Sequence, residues 1–258
     1  MVTVVPREEF VATSWTDPEF RMLGTLPTLI VRWDRSEGAF WVLRLCERFG
    51  NASGMWGYPP ATRWNVQGTS GLGYSDHPVT ADGSARGRCS AEVAAEGDML
   101  RFRIVLRNES SDSWLDAWAW VCLIHRWARS FQANCELPTG TGEDPWTPCA
   151  CLHAPMTRWL KWCAVRGWRE TAERIAFNHR NMWQPHIEAA FGTVRAWTVA
   201  LDRPVRQFVR LASDDAVILG WSHWPCTDMA LYFGDIEPGE ERTSNGTLSF
   251  LEETYLPT

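Results

Sequence analysis

The sequence is nearly without lysine. Lys161 is its single lysine, although lysine and arginine together number 25 among 258 residues. The arginines are interleaved with acidic residues, and the formal net charge is −6 at pH 7. The sequence has no block of basic residues of the kind that binds a phosphate backbone. The charge distribution therefore argues against a nucleic acid partner.

Membrane and export signals are also absent. No run approaches the roughly 18–20 apolar residues that span a bilayer. The first residues, MVTVVPREEFVATSW, contain no basic start, apolar segment or small-residue cleavage site. We therefore expect a cytoplasmic protein without a membrane contact, and we expect its eight cysteines to be reduced, buried thiols.

Several catalytic motifs are missing as well. The sequence has no GxSxG elbow, Walker loop, GxGxxG run or HExxH pair. These absences argue against serine hydrolase chemistry, nucleotide hydrolysis and Rossmann-type cofactors. Paired carboxylates for glycoside hydrolysis stay open, because two acids about 5–10 Å apart in space need not be close in sequence.

Tryptophan, in contrast, is abundant, with 17 in the chain. Each can bury about 150–250 Å², and its indole N–H needs a partner. The protein therefore has either an aromatic-rich core or a broad aromatic surface.

Four of these tryptophans lie in the stretch 112–127, DSWLDAWAWVCLIHRW. A helical period is possible, but tryptophan, valine and isoleucine favour a strand. In a strand, Trp118 and Trp120 share one face and the alanines and His125 the other, so both faces would be covered. We predict that Trp118 and Trp120 are core, whereas Trp114, Trp127 and His125 lie where strand meets loop.

The neighbouring sequence indicates a mainly β fold. Alternation over 99–107 predicts a half-buried strand, and the turn formers NESSDS favour a hairpin with the stretch that follows. The glycine- and proline-rich tract 51–98 predicts a long irregular loop. A helical excursion is predicted within 155–190, most clearly at 168–180. Further strands are predicted at 27–33, 39–45, 193–201, 205–211, 215–222 and 246–252.

Three stretches resemble the galactose mutarotase-like supersandwich proteins, the aldose epimerase group. They are LRFRIVLRNESSDSWLDAWAWVCLIHRWA, FGDIEPGEERTSNGTLSF and ATRWNVQG. The resemblance implies that His125 is a general acid to a sugar ring oxygen, with Arg63, Asn65 and His77 in a binding loop. The group's glutamate base has no counterpart here, because LGWSHWPCTD stands in its place.

Other histidines offer alternatives. His223 lies between Trp221 and Trp224, which suits either a sugar subsite or an aromatic core. His186 and Glu188 could bind a divalent metal, supply an acid and a base, or lie in a solvated loop. A structural zinc site is a further possibility, although its spacing differs from a zinc knuckle; its ligands would be Cys149, Cys151 and His153.

Together these patterns predict one domain over 1–258, a mainly β, antiparallel β-sandwich of the supersandwich type with a helical insertion near 155–180. The predicted function is a carbohydrate-active enzyme, an isomerase, epimerase or lyase, using acid–base chemistry in an aromatic-lined cleft on a small sugar or oligosaccharide. Alternatives are a non-catalytic carbohydrate-binding protein and a structural subunit with a tryptophan-rich core; a homo-oligomer is possible. No cofactor is expected, with a divalent metal as the alternative.

The predicted catalytic residues are His125, His223, His186 and Glu188. The predicted substrate-binding residues are Arg63, Asn65, His77, Trp114, Arg126, Trp127 and Trp224.

Overall fold

The computed structural model of the protein describes twelve segments of the chain and is built mainly of β-strands. The described residues are 1–7, 27–56, 62–67, 71–77, 87–128, 131, 135–136, 161–165, 167–178, 197–202, 207–222 and 226–252. They form two antiparallel sheets and one short helix. None of the described helical structure is long and apolar enough to cross a membrane.

The first sheet has eight strands. Its order is β1 (Val2–Pro6), β2 (Leu29–Trp33), β3 (Trp41–Asn51), β9 (Trp114–Ile124), β15 (Cys226–Ile236), β14 (Ala216–Ser222) and β11 (Lys161–Ala164), with β4 (Gly54–Trp56) paired to β3.

The second sheet also has eight strands. Its order is β10 (Cys135–Glu136), β12 (Trp197–Asp202), β13 (Gln207–Ala212), β16 (Glu241–Glu252), β8 (Met99–Asn108), β7 (Gly87–Glu96), β6 (Gly71–Asp76) and β5 (Asn65–Gln67).

The two sheets pack face to face over a shared apolar core. Val121 and Leu123 contribute from β9, and Phe102 and Ile104 contribute from β8. Each strand alternates, so one set of its side chains enters this core and the other faces away. The mainly β, antiparallel sandwich predicted from the sequence is confirmed.

Strand β9 is also covered on its other face. There Trp118 and Trp120 pack with Ala172 and Ile175 of helix α1 (Arg169–Asn178). The helix begins with Glu170 in its first turn, where the dipole favours an acid. The prediction that both faces of β9 are covered is confirmed, as is the helix predicted at 168–180.

The predicted hairpin between 99–107 and the stretch after it is wrong. Strand β8 pairs with β7 and β16 in the second sheet, whereas β9 pairs with β3 and β15 in the first. The small side chains of β9 face the core that the two sheets share, and β9 belongs to the sheet opposite that of β8. Asn108 holds this crossover, since its amide donates to the carbonyls of Asp112 and Ile236, both at 2.8 Å.

The long irregular loop predicted for 51–98 is also wrong in its described parts, because they contain β4, β5, β6 and β7. One glycine in this stretch, Gly87, allows two strands and a tryptophan ring to pack closely. A Cβ on Gly87 would lie 2.3 Å from the Trp114 ring and 2.3 Å from the Arg107 carbonyl oxygen.

The other strand predictions hold, with shifted ends. The predicted strand 39–45 extends to Asn51, and the last one begins at Glu241. Within the predicted helical excursion, Lys161–Ala164 is a strand paired with β14. Among the described residues, strands are confirmed within the predicted ranges 27–33, 39–45, 193–201, 205–211, 215–222 and 246–252.

Candidate functional site

A buried polar cluster lies on the outer face of the first sheet, the face turned away from the second sheet. We call it the Asp228 cluster; its members are Arg44, Glu47, Cys122, Cys226 and Asp228. Cys122 on β9 is aligned with Arg44 on β3 and with Asp228 on β15. Buried charged side chains are costly unless they are paired, so their presence on an apolar face indicates a role other than packing.

A bulge in β3 places Glu47 beside this cluster. Between Arg44 and Arg48 the register with β9 shifts, and Cys46 adopts a positive φ of 56°. Glu47 lies within the bulge and forms an ion pair with Arg44 at 2.5 Å. Bulges bend a strand locally and re-aim its side chains, and they are frequent next to functional sites.

The thiols and the carboxyl group of the cluster are in close contact. The Cys226 thiol donates to Oδ2 of Asp228 at 3.3 Å. Burial, with the charge of Glu47 second, raises the pKa of Asp228 to about 7. The hydrogen bond with Cys226, together with burial, raises the pKa of the Cys122 thiol. The cluster can therefore hold protons on sulfur and oxygen, or exchange them for a metal ion.

An aromatic pair borders the cluster. Trp127 is partly exposed and stacks on Phe40, with ring centroids 5.3 Å apart and planes 11° from parallel. Trp127 packs against an apolar group that contains both Cys122 and Cys226. Of the predicted substrate-binding residues, Trp127 thus packs against the apolar group to which two members of the Asp228 cluster belong.

His125 lies just beyond β9 and is completely buried. Its Nε2 is 3.0 Å from the Thr227 hydroxyl on β15. Burial lowers the pKa of His125 to about 3, so the imidazole is neutral near pH 7. A neutral imidazole without exposed surface fits a positioning contact between two strands; its predicted catalytic role stays a prediction.

Trp114 is a core residue, with only 2% of its surface exposed. Its ring packs on Trp56 at 4.5 Å between centroids, and its indole N–H donates to the Ser110 hydroxyl at 3.2 Å. Arg126, by contrast, is partly exposed beside Trp127. Trp118 and Trp120 are buried as predicted.

Three predicted substrate-binding residues belong to the second sheet or its flanks. Arg63 and Asn65 are exposed near β5. His77 is exposed after β6, and its Nδ1 lies 3.3 Å from Oε2 of Glu109. They lie on a different sheet from the Asp228 cluster. The remaining predicted site residues lie outside the described residues: His186, Glu188, His223, Trp224, and the alternative zinc ligands Cys149, Cys151 and His153.

No member of the Asp228 cluster is among the predicted site residues. A charged residue within an apolar strand is the signal that identifies Arg44 in WVLRLC and Asp228 in CTDMALYF. Alternation alone shows which face each side chain occupies, but the pairing of β3, β9 and β15 is needed to bring them together.

A second polar contact anchors the helix to the first sheet. Arg174 donates to both carboxylate oxygens of Asp116 at 2.8 Å, and the Tyr232 hydroxyl donates to Oδ1 at 2.8 Å. The Arg174 hydrogen bonds lower the pKa of Asp116, while burial raises that of Tyr232 to about 12. This contact fixes α1 over Trp118 and Trp120.

Comparison with known proteins finds likeness in fold alone. No protein family matches the chain, and no curated protein does. A galactose mutarotase related enzyme from Lactobacillus acidophilus is similar in structure, with a TM-score of 0.44, 8% identity and coverage of 90% of this chain and 97% of that one. A galactose mutarotase-like protein from Lactobacillus casei has a TM-score of 0.44 and 7% identity. The match covers 87% of this chain and 97% of that one.

An alpha-N-acetylgalactosaminidase from Bifidobacterium bifidum gives a TM-score of 0.47 and 12% identity. Here 88% of this chain is covered but only 34% of the larger protein. The solved structures with a similar fold thus include the group that the sequence resembles.

Proposed function

We propose that the protein binds a small carbohydrate on the outer face of the first sheet and transforms it by acid–base chemistry. The observation that carries this proposal is the position of Trp127. Its partly exposed ring stacks on Phe40 and packs against an apolar group that contains Cys122 and Cys226, two members of the Asp228 cluster.

The aromatic pair supplies the binding surface. A pyranose ring has an apolar C–H face that packs on a flat indole, and Phe40 behind Trp127 holds that indole in place. Arg126, next in sequence and partly exposed, can donate to hydroxyls or to a uronate carboxylate. These features support a sugar or sugar acid as the ligand class.

Glu47 is the group that we assign to proton transfer. It lies in the β3 bulge, its side chain is 17% exposed, and Arg44 fixes its orientation through the ion pair. A carboxylate held in one orientation suits general acid–base catalysis, and we assign it to the sugar that binds on Trp127. Epimerisation, isomerisation and β-elimination all use such a group, and these are the reactions that we propose.

Binding is tested with Trp127→Ala. We expect calorimetric titration with a panel of neutral sugars, uronates and oligosaccharides to show at least about tenfold weaker binding, a loss of about 1.4 kcal/mol. Trp168→Ala is the matched control, because Trp168 is an exposed tryptophan at the helix and contacts Tyr232 with its ring tilted. Equal losses in both variants would contradict the assignment of the binding surface.

Chemistry is tested with Glu47→Gln. We expect turnover to fall by at least about 100-fold while sugar affinity stays within a few-fold of the wild type. Turnover is followed as anomer or epimer exchange by NMR, and as unsaturated product by absorbance. Glu96→Gln, at an exposed carboxylate paired with Arg101, is the control. Binding without turnover in the wild type would establish the non-catalytic alternative.

A further inference from the structure

We propose that Cys122, Cys226 and Asp228 bind a zinc ion on the outer face of the first sheet. Two thiols and one carboxyl group come from neighbouring strands β9 and β15, and all three residues are buried. Their ligand atoms lie within 4.8 Å of one another. The inference is independent of the proposed carbohydrate function.

The spacing of the ligand atoms suits tetrahedral zinc. Zinc–sulfur bonds of about 2.3 Å and zinc–oxygen bonds of about 2.0–2.2 Å place neighbouring ligand atoms about 3.5–4 Å apart. The Cys226 sulfur is 3.3 Å from Oδ2 of Asp228, close to that separation. Small side-chain rotations therefore open room for the ion.

The sheet holds the three ligands in a fixed arrangement. Asp228 is directly opposite Cys122 in the antiparallel register, and Cys226 precedes Asp228 by two residues on the same face. Sites built on paired strands are positioned more precisely than sites on loops. The arrangement differs from a sequence-local zinc knuckle, which explains why sequence spacing did not reveal it.

The chemistry of the ligands also favours a thiophilic metal. Zinc binds thiolates and carboxylates, and binding releases the protons that the cysteines carry. Two thiolates and one carboxylate exceed the charge of the ion by one negative charge; Arg44, aligned with Cys122 on the next strand, and Glu47 form an ion pair and offset each other. Three protein ligands leave a fourth position for water or another group. This proposal departs from the expectation that the protein has no cofactor.

The experiment uses the full chain produced in medium supplemented with Zn²⁺ or, separately, with Co²⁺ as a spectroscopic probe. We expect about one additional equivalent of zinc in the wild type relative to Cys122→Ala, Cys226→Ala and Asp228→Asn. The cobalt form should show thiolate charge-transfer and tetrahedral ligand-field bands that these variants lose.

Cys89→Ala is the matched control, because Cys89 is a buried thiol on β7 in the other sheet. It should retain the wild-type zinc content and cobalt bands. Equal metal content in Cys226→Ala and the wild type, or a wild type without thiolate–cobalt bands, would overturn the proposal.

A variant that keeps three ligands guards against loss of folding. Asp228→Cys should retain the metal and give stronger thiolate absorption, because a third sulfur joins the site. Zinc added at about 100 times its Kd during refolding should raise the melting temperature of the wild type and of this variant by about 2–4 °C. Weaker thiolate absorption in Asp228→Cys than in the wild type would contradict the ligand assignment.

Discussion

The outer faces of the two sheets differ in what covers them. On the second sheet this face is exposed and charged, with pairs such as Arg101–Glu96 and an open groove of about 340 Å³ bordered by Arg103 and Asn245. On the first sheet it is buried, with Trp118 under the helix and the Asp228 cluster farther along. The second sheet is thus a solvated sandwich layer, whereas the first also carries a third layer and a buried polar site.

The largest expected effect tests the buried side of this comparison. Trp118→Ala should reduce the free energy of unfolding by about 3–5 kcal/mol, because it leaves a large cavity between β9 and α1. Arg103→Ala on the outer face of the second sheet should change it by no more than about 0.5 kcal/mol. Urea unfolding at neutral pH measures both, and similar values for the two variants would contradict the difference between the faces.

A glycine at the sheet crossover should be the next most sensitive position. Gly87→Ala should cost about 3 kcal/mol, because its Cβ would clash with the rigid Arg107 carbonyl and the Trp114 ring. Gly97→Ala is the control: its φ of 61° strains a side chain by only about 1–2 kcal/mol, and nothing lies within 4 Å of its Cβ. If urea unfolding gave the larger loss for Gly97→Ala, the close packing at Gly87 would be disproved.

The pH dependence of stability should reveal the buried histidine. Because burial lowers the pKa of His125 from 6.5 to about 3, protons bind the unfolded chain first as the pH falls. The contribution of His125 to stability is therefore full above pH 6.5 and declines below it, by about 2 kcal/mol at about pH 5, whereas Asp228, whose pKa is raised, stabilises the fold as the pH falls over the same range.

Denaturant unfolding above pH 6.5 and at about pH 5 checks this expectation. His125→Gln should remove most of the decline that His125 contributes between these pH values, whereas His77→Gln, at an exposed histidine, should leave that decline unchanged. An unchanged decline in His125→Gln would show that other groups cause it.

The smallest expected effect concerns the helix anchor. Asp116→Asn should lower stability by only about 1 kcal/mol, because Arg174 is about half exposed and solvent screens the ion pair. Amide exchange over Arg169–Asn178 should nevertheless become faster, since the bidentate contact to the sheet is lost. Arg169→Gln, which removes an ion pair to Glu173 within the helix, is the control. Equal exchange in Asp116→Asn and the wild type would argue against anchoring.

The local elements were predictable because their residues carry periodic signals. Alternation defined the strand at 99–107, and the apolar spacing of Ala172 and Ile175 defined the helix. Partner choice was not predictable in the same way. NESSDS marks a turn, but only the packing of the small β9 side chains decides that the chain crosses to the opposite sheet.

The candidate site shows the same limit. Trp127 was predicted to bind substrate because an aromatic residue beyond an apolar strand is a local signal, and this role stays a prediction. Asp228 and Cys122 are 106 positions apart in sequence and meet only through the pairing of β9 with β15. Residues separated so far become neighbours through strand register, which a single sequence does not specify.

The most direct test of a carbohydrate-binding face on the first sheet is the melting temperature against neutral sugars, uronates and oligosaccharides. At about 100 times its Kd, a bound sugar should raise the melting temperature of the wild type and of Trp168→Ala by about 2–4 °C. The same sugar concentration should raise the melting temperature of Trp127→Ala by at most about half as much, because its affinity is at least about tenfold lower. A panel in which no sugar shifts the wild type, or an equal shift in Trp127→Ala, would contradict the proposed face.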